Sequence, residues 1–352
     1  MFVNGLGTAN PPHRFTKAQC WEAFKSSEWF RKLDHRAHLI AETVLTRDNG
    51  IESRTLALDG LNEVFQINPN VLHERFLVHA PALAADAGRA ALEDAGLQAH
   101  EIDGVVVSTC TGYLCPGLTS HVIERLGLRS DVLAFDLVGQ GCAAALPNWR
   151  VAAALLADGS CGHVLAVCVE VSSAAMYLDN DPGVLISACL FGDGAGAAVL
   201  SQRPDSNRRR MEWKAFGSLT NPGERKALQF ETRDGMLRNV LTRPVPRLAA
   251  EHAHQVLDRV LETAGLAPAD IAAWIMHAGG RDVLGALQKK FQLPEGHFRY
   301  STAVLRQFGN MSSAFVYYVL QAALRDNAAP GWWWMSSFGA GFSCHGALLK
   351  VA

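Results

Sequence analysis

The sequence predicts an α/β protein, and three observations carry that prediction. Short apolar runs alternate with segments of helical periodicity along the chain. Several runs, among them Ile102 to Thr109 and Val164 to Val171, are apolar throughout, as strands covered on both faces are. After a polar break, Ser201 to Arg210, the same kind of element order begins again, which divides the chain into halves at residues 1–205 and 206–352. The repeat is one of architecture, with no residue-level repeat beside it.

Met1 to Thr8 reads as a strand ending in the turn A-N-P-P. Helical patterns follow over Lys17 to Phe30 and Leu39 to Leu45, then an irregular stretch from Asn49 to Asn68. Asp86 to Ala95 is alanine-rich and closes at Gly96, as helices tend to close. Ile102 to Thr109 is a strand, T-G-Y-L-C-P-G a loop, and Leu118 to Leu126 a helix. The strand Val132 to Val138 enters a glycine turn, and a small-residue helix starts at Ala143 and continues through Val151 to Ala157. Val164 to Val171 is another strand. The glycines of F-G-D-G-A-G-A-A-V-L lead into a short strand and not into a helix, which rejects a dinucleotide loop. In the second half, the charged section Glu224 to Arg243 precedes a helix, Leu248 to Ala264, and a strand, Ile271 to Met276. Then come the turn H-A-G-G, helix Val283 to Phe291, a loop around Tyr300, and helix Ser313 to Arg325. The strand Gly331 to Met335, the loop F-G-A-G-F and a strand to Val351 complete the chain; W-W-W at Trp332 to Trp334 reads only as a bulky strand.

With 352 residues and 49% hydrophobic content the chain can bury a sizeable core. A formal charge of -2 gives no argument for a nucleic-acid partner, and Arg208 to Arg210 reads as a solvated loop. No segment reaches the ~18 apolar residues of a membrane span, and the N-terminus has no basic stretch before an apolar core. The expected compartment is the cytoplasm. Eight cysteines without C-x-x-C spacing read as reduced thiols. His252 and His254 fall on different helix faces, while His35 and His38 with Asp34 lack a further ligand set, so no metal site is expected.

A nucleophile's seat stands out at V-G-Q-G-C-A-A-A-L-P-N-W-R, Val138 to Arg150. Strand, glycine turn, Cys142 and helix follow one another, and a thiol at a helix start faces unpaired N–H groups that favour thiolate. The plainer reading of Cys142 is a small buried apolar residue. His277 ends an apolar strand directly before Ala278 and Gly279, at the sheet edge where open α/β sheets place their sites. Asn310 stands between Gly309 and a helix start, fit to cap that helix or to donate into a cavity. Only folding brings the three together.

The matching stretches are G-T-A-N-P near Gly7, C-T-G-Y-L-C-P-G-L from Cys110, G-C-A-A-A-L-P from Gly141, C-V-E at Cys168 and L-F-G-D-G-A from Leu190. H-A-G-G from His277, G-N-M-S-S-A from Gly309 and F-G-A-G-F from Phe338 continue the series. By these motifs the chain resembles, from end to end, the type III polyketide synthases, the chalcone synthase-like branch of the thiolase superfamily. The resemblance implies a thiolase-like five-layered αβαβα fold of two similar halves, paired into a homodimer through the N-terminal half. It implies an acyltransferase that takes malonyl-CoA and an acyl-CoA starter and needs no cofactor beyond these thioesters. Cys142 would be the acylated nucleophile and His277 with Asn310 the rest of a triad. Phe191 would wall the site, and Cys115, Ala175, Ser312, Phe338 and Gly339 would contact substrate.

The residue types suit the chemistry. Decarboxylation of a malonyl thioester yields an enolate without a strong base, and donors from His277 and Asn310 can hold its oxygen; one such donor contributes ~3 kcal/mol. The enolate then attacks acyl-Cys142, and a charged His277 would keep the free thiol ionised. An apolar Phe191 would disfavour a carboxylate beside it, although it serves equally as core. The family's H-P-G-G and G-F-G-P-G here carry Ala278, Ser337 and Ala340, which loosens turns and removes no functional group. Small residues at Ala175 and Cys115 suit an extended acyl chain. The basic residues that meet coenzyme A in plant members have no match in an ungapped comparison around residues 51–54, and Arg36 and Arg47 are nearby substitutes. The plant-type phenylalanine has no clear counterpart in L-R-N-V-L-T-R-P. The expected product is a pyrone, resorcinol or phloroglucinol-type ring. The alternatives are a ketoacyl-ACP synthase of the third type, a degradative thiolase with Cys344 as second thiol, and an inactive partner subunit.

Overall fold

The structure, a computed structural model, describes residues 1–206 and 209–352. Its centre is a nine-stranded sheet. From one edge the order is Ile271–Met276, Gly331–Gly339, Ser343–Val351 and Met211–Thr220, then Phe2–Ala9, Gly194–Ser201, His163–Glu170, Gly104–Ser108 and Leu133–Leu137. The two halves of the sheet join where Phe2 pairs with Glu212.

Taken in chain order, the N-terminal strands lie third, second, fourth, fifth, first, and the C-terminal ones second, third, fourth, first. Directions match too: in both halves a pair of parallel neighbours is followed by antiparallel ones. The C-terminal half therefore repeats the N-terminal one without its edge strand. Helix Pro69–Ala95 covers the outer face of the N-terminal half and Val245–Ala264 that of the C-terminal half. Helices Ala145–Ala157 and Phe315–Arg325 lie between, touching strands of both. That gives the five layers of a thiolase-like fold.

The layers close because small residues meet. At Gly5 and Gly7 a Cβ would come within 2.2 Å of Ala91 O and Ala87 O, so the first strand lies directly on the alanine face of Pro69–Ala95. That helix begins with Asn68 accepting from the Val71 N–H and ends at Gly96 with φ 66°. The sequence predicts no element over its first four turns, before Asp86; Pro81 and the polar residues of this stretch hide the helical period.

Other differences have physical reasons. The helix Arg299–Phe308 occupies the expected loop around Tyr300, with Tyr300, Ser301, Val304 and Leu305 on its buried side. The hairpin Leu228–Arg233 and Met236–Leu241 turns at Asp234 and Gly235, both with positive φ, inside what reads in sequence as a charged section. The dipeptide D-G was the available signal. Of the basic cluster, Arg208 lies outside the described residues. Arg209 is not simply solvated: it lies 5.0 Å over the Trp333 ring and donates to Ala328 O. Trp333 and Trp334 are fully buried on opposite faces of their strand, which accounts for two of the three tryptophans.

Candidate active site

Cys142 sits in a 3₁₀ turn, Gly141–Ala143, just before the central helix Ala145–Ala157. Gly139 and Gly141 have φ of 85° and 55°, a conformation that favours glycine. The end of the strand Gly331–Gly339 braces this turn: Ser337 Oγ donates to Ala143 O at 3.0 Å. A Cβ on Gly339 would fall 2.6 Å from Ala143 N and 2.9 Å from Cys142 N, so only glycine fits there.

His277 follows the strand Ile271–Met276, and its N–H donates to Ser336 O at 2.8 Å. Its ring is buried edge-on against Phe338 and Phe315, at centroid distances of 4.9 and 5.4 Å. Nδ1 is buried without a hydrogen-bond partner. Asn310 pairs with Phe191 across an isolated parallel bridge: its N–H donates to Leu190 O at 3.0 Å, and Gly192 N–H donates to its carbonyl at 2.9 Å. Its amide donates to Gly279 O at 3.3 Å and accepts from Ser312 N–H at 2.8 Å, so it is more than a helix cap. Ser312 Oγ in turn donates to Cys142 Sγ at 3.2 Å. A path of contacts thus runs from Cys142 through Ser312 and Asn310 to Gly279, two residues from His277.

The charge states differ from expectation. Burial pushes the Cys142 thiol up to about 12, with Glu170 adding to the rise and the Ser312 hydroxyl opposing it. Burial lowers His277 to about 3. The helix start therefore does not hold a resting thiolate, and His277 is a neutral imidazole at pH 7 rather than the expected cation. Sequence reasoning also left Glu170 without a role. It is fully buried and accepts from Thr111 Oγ1 at 3.0 Å, Cys110 N–H at 3.1 Å and the Ser313 hydroxyl, and it lies 3.3 Å from Ser312 Oγ, where it competes with Cys142 Sγ for the one hydroxyl proton.

Phe191 and Ala175 line a small cavity of ≈20 Å³ with Thr111, Ser172 and Phe230. Thr111 and Phe230 also border a larger cavity of ≈550 Å³, whose wall includes Cys110, Gly141, Ala340 and Gly341. Cys115 is exposed and borders neither cavity, contrary to the cavity-shaping place expected of it. Phe338 packs on His277 and Gly339 on the nucleophile turn, so these two shape the site from behind its surface. Arg36 and Arg47 are exposed and border neither cavity; Arg225 does border the large one. Asn239, beside Phe230, stands in the segment where no plant-type phenylalanine was found. Cys344 is fully buried beside Ser336 in the strand Ser343–Val351 and borders neither cavity, an unfit place for a second reactive thiol. Among the described residues no group of three or more His, Cys, Asp or Glu could hold a metal, and no helix is long and apolar enough to cross a membrane.

A two-half sheet whose N-terminal half carries a turn-borne cysteine in contact with Ser312 of the C-terminal half, beside Asn310, is laid out as a thiolase-like fold. Residues 9–219 match the family described as FAE1/type III polyketide synthase-like protein, and residues 218–351 match the chalcone and stilbene synthases, C-terminal domain. The chain belongs to the type III polyketide synthase family, and it is an acyltransferase. It is 32% identical to the 1,3,6,8-tetrahydroxynaphthalene synthase of Streptomyces peucetius subsp. caesius, over 99% of this chain and 92% of that protein. PKS-I from the brown alga Ectocarpus siliculosus superposes with a TM-score of 0.91 at 25% identity, covering 99% of this chain and 98% of that one. The C-terminal type III polyketide synthase domain of Steely1, a type I/III hybrid from Dictyostelium, shares the fold at a TM-score of 0.87 and 23% identity, over 99% of both chains.

Proposed function

We propose that this enzyme condenses malonyl-CoA repeatedly onto an acyl-CoA starter held on Cys142, in the cytoplasm, as a homodimer and without a cofactor. Each half, 1–205 and 206–352, contributes residues to one site. The reading is supported above all by the contact path that links Cys142, Ser312, Asn310 and Gly279 across the interface of the halves.

The neutral His277 suits the loading step. Sγ attacks the starter's thioester carbonyl while its proton passes to the imidazole, and that proton leaves with the departing coenzyme A thiol. Malonyl-CoA then loses carbon dioxide, and the electron pair of the broken bond forms an enolate. The Asn310 amide and the His277 N–H donate to the enolate oxygen. Attack on acyl-Cys142 forms the carbon–carbon bond and frees the sulfur as thiolate. The ≈550 Å³ cavity bordered by Cys110 and Gly141 leaves room for the starter, and Ser312 keeps the sulfur in place.

The purified protein, incubated with malonyl-CoA and a series of acyl-CoA starters, should release carbon dioxide and give products whose masses show several condensations. Pyrones, resorcinols and phloroglucinols are the products to seek, and the name of the Streptomyces relative adds a tetrahydroxynaphthalene. A Cys142→Ala protein should give none of them. A single condensation, and only on an acyl carrier protein, would contradict the proposal.

A further inference from the structure

Arg54 is a buried cation that the reaction scheme does not use. Its residue is 6% exposed, and a guanidinium removed from water needs fixed partners for its donors. Nη1 donates to Ala188 O at 2.8 Å and to Phe191 O at 2.9 Å, and Nη2 approaches Cys20 Sγ at 3.5 Å. The carbonyls belong to the end of helix Pro182–Leu190 and the residue after it, where a helix leaves acceptors unpaired. Among the described residues no carboxylate shares these bonds. Asp193, the acid nearest in charge, already accepts from Ala57 N–H, Ser173 N–H and Ser173 Oγ.

The stem of the side chain matters as much as its head. A Cβ on Gly309 would lie 2.9 Å from Arg54 Cγ and 2.7 Å from Leu190 O, so the arginine packs against the backbone immediately before Asn310. Its neighbour Ser53 donates to Gln307 O at 2.8 Å, and Thr55 donates to Asp193 O at 2.8 Å. One short strand, Ser53–Thr55, therefore bonds Phe191 on one side of the Phe191–Asn310 bridge and packs on Gly309, the residue before Asn310, on the other.

We propose that Arg54 is a positioning residue for the condensation: by fixing the Phe191–Asn310 bridge it aims the Asn310 amide at the enolate oxygen. This rests on the role given to Asn310 above. The consequence is selective. Decarboxylation, which needs that amide, depends on Arg54, whereas the reactivity of Cys142, held by its own turn and by the strand Gly331–Gly339, does not.

Full-length Arg54→Lys, Arg54→Met and Asn310→Ala proteins separate these outcomes, with release of labelled carbon dioxide from malonyl-CoA, alkylation of Cys142 by iodoacetamide and urea unfolding as readouts. Lysine keeps the charge but cannot reach two carbonyls with one fork. Arg54→Lys should lose about tenfold to a hundredfold in kcat for decarboxylation, as a misplacement of about 1 Å does. Its KM and its Cys142 alkylation rate should stay within about twofold. Arg54→Met should lose more; if it fails to fold, the lysine variant decides alone. Parent-like decarboxylation in the Arg54 variants beside a collapse in Asn310→Ala would overturn the proposal and leave the role of Asn310 standing. A parallel loss of alkylation and decarboxylation would reduce Arg54 to a structural support and also overturn it. Decarboxylation undiminished in Asn310→Ala would remove the underlying reading, and this one with it.

Discussion

Around Cys142, two neighbours pull the thiol in opposite directions. The Ser312 hydroxyl donates to the sulfur and favours its charged form, while the buried Glu170 carboxylate disfavours it. With the thiol pushed up to about 12, the alkylation rate at pH 8 follows the small thiolate fraction, so each change reads out directly. Ser312→Ala should slow iodoacetamide labelling by about tenfold, since a hydrogen bond to a charged group is worth ~1.5 to 3 kcal/mol. Glu170→Gln should speed it. Equal rates in both variants would show that neither group governs the sulfur. The local settings of the three proposed site residues were legible before folding: a glycine turn before Cys142, a strand end before His277, and the motif around Asn310. Their charge states were not, because the helix-start argument counts local dipoles whereas burial depends on how both halves close over the site. Glu170 was visible only as one letter of a motif, since its partners come from positions 110, 111, 312 and 313.

Among the elements, the long apolar strands and the capped helices were readable, with Leu118–Leu126 and Ile271–Met276 matching the expected bounds. Elements with one wet face were missed. Met211–Thr220 is half-buried and interleaved with charge, and the hairpin at Asp234 and Gly235 lies in a charged section, so neither shows an apolar run. What the sequence could not show at all is how one element end supports another. The glycine at 339 is the clearest case, because the turn it supports lies about two hundred residues earlier, beyond the reach of any local pattern. Gly339→Ala places a methyl against the backbone nitrogens of Cys142 and Ala143, both closer than 3.0 Å, and must displace the nucleophile turn. The protein should keep its circular dichroism while condensation falls about a hundredfold, the effect of shifting a reacting group by about 1 Å. A fully active Gly339→Ala enzyme would mean that the turn yields at no cost to the chemistry.

For the molecule as a whole, burial of histidine sets a pH dependence of stability. His345 is lowered to about 4 and His277 to about 3, each by burial, against an ordinary value of 6.5. The unfolded chain therefore takes up protons below pH 6.5 that the native state refuses, and stability is lost as pH falls toward 4; at pH 5 the loss is about 2 kcal/mol per histidine. Glu170 and Asp193, raised by burial, act in the opposite direction, so the comparison between variants is the test and not the parent slope. His345→Asn should show a shallower drop than the parent in urea-unfolding free energy between pH 7.5 and 5; equal drops would remove His345 from the account. The same whole-molecule view bears on assembly. The N-terminal half of the sheet ends in Leu133–Leu137, an edge strand whose outer side is open, and Leu133, Phe135, Val138 and Tyr113 are 38, 40, 60 and 71% exposed beside it. Unpaired strand edges with apolar side chains invite pairing with another chain, and isolated proteins usually protect them with charge or a bulge. A second copy that adds its own edge strand satisfies both the backbone groups and the apolar patch, which supports the homodimer proposed above. Phe135→Glu places an unpaired charge at the middle of that edge, and burial of such a charge costs several kcal/mol. The parent should sediment as a dimer and the variant as a monomer that retains its circular dichroism. A monomeric parent, or a Phe135→Glu protein that still sediments as a dimer, would place the interface elsewhere.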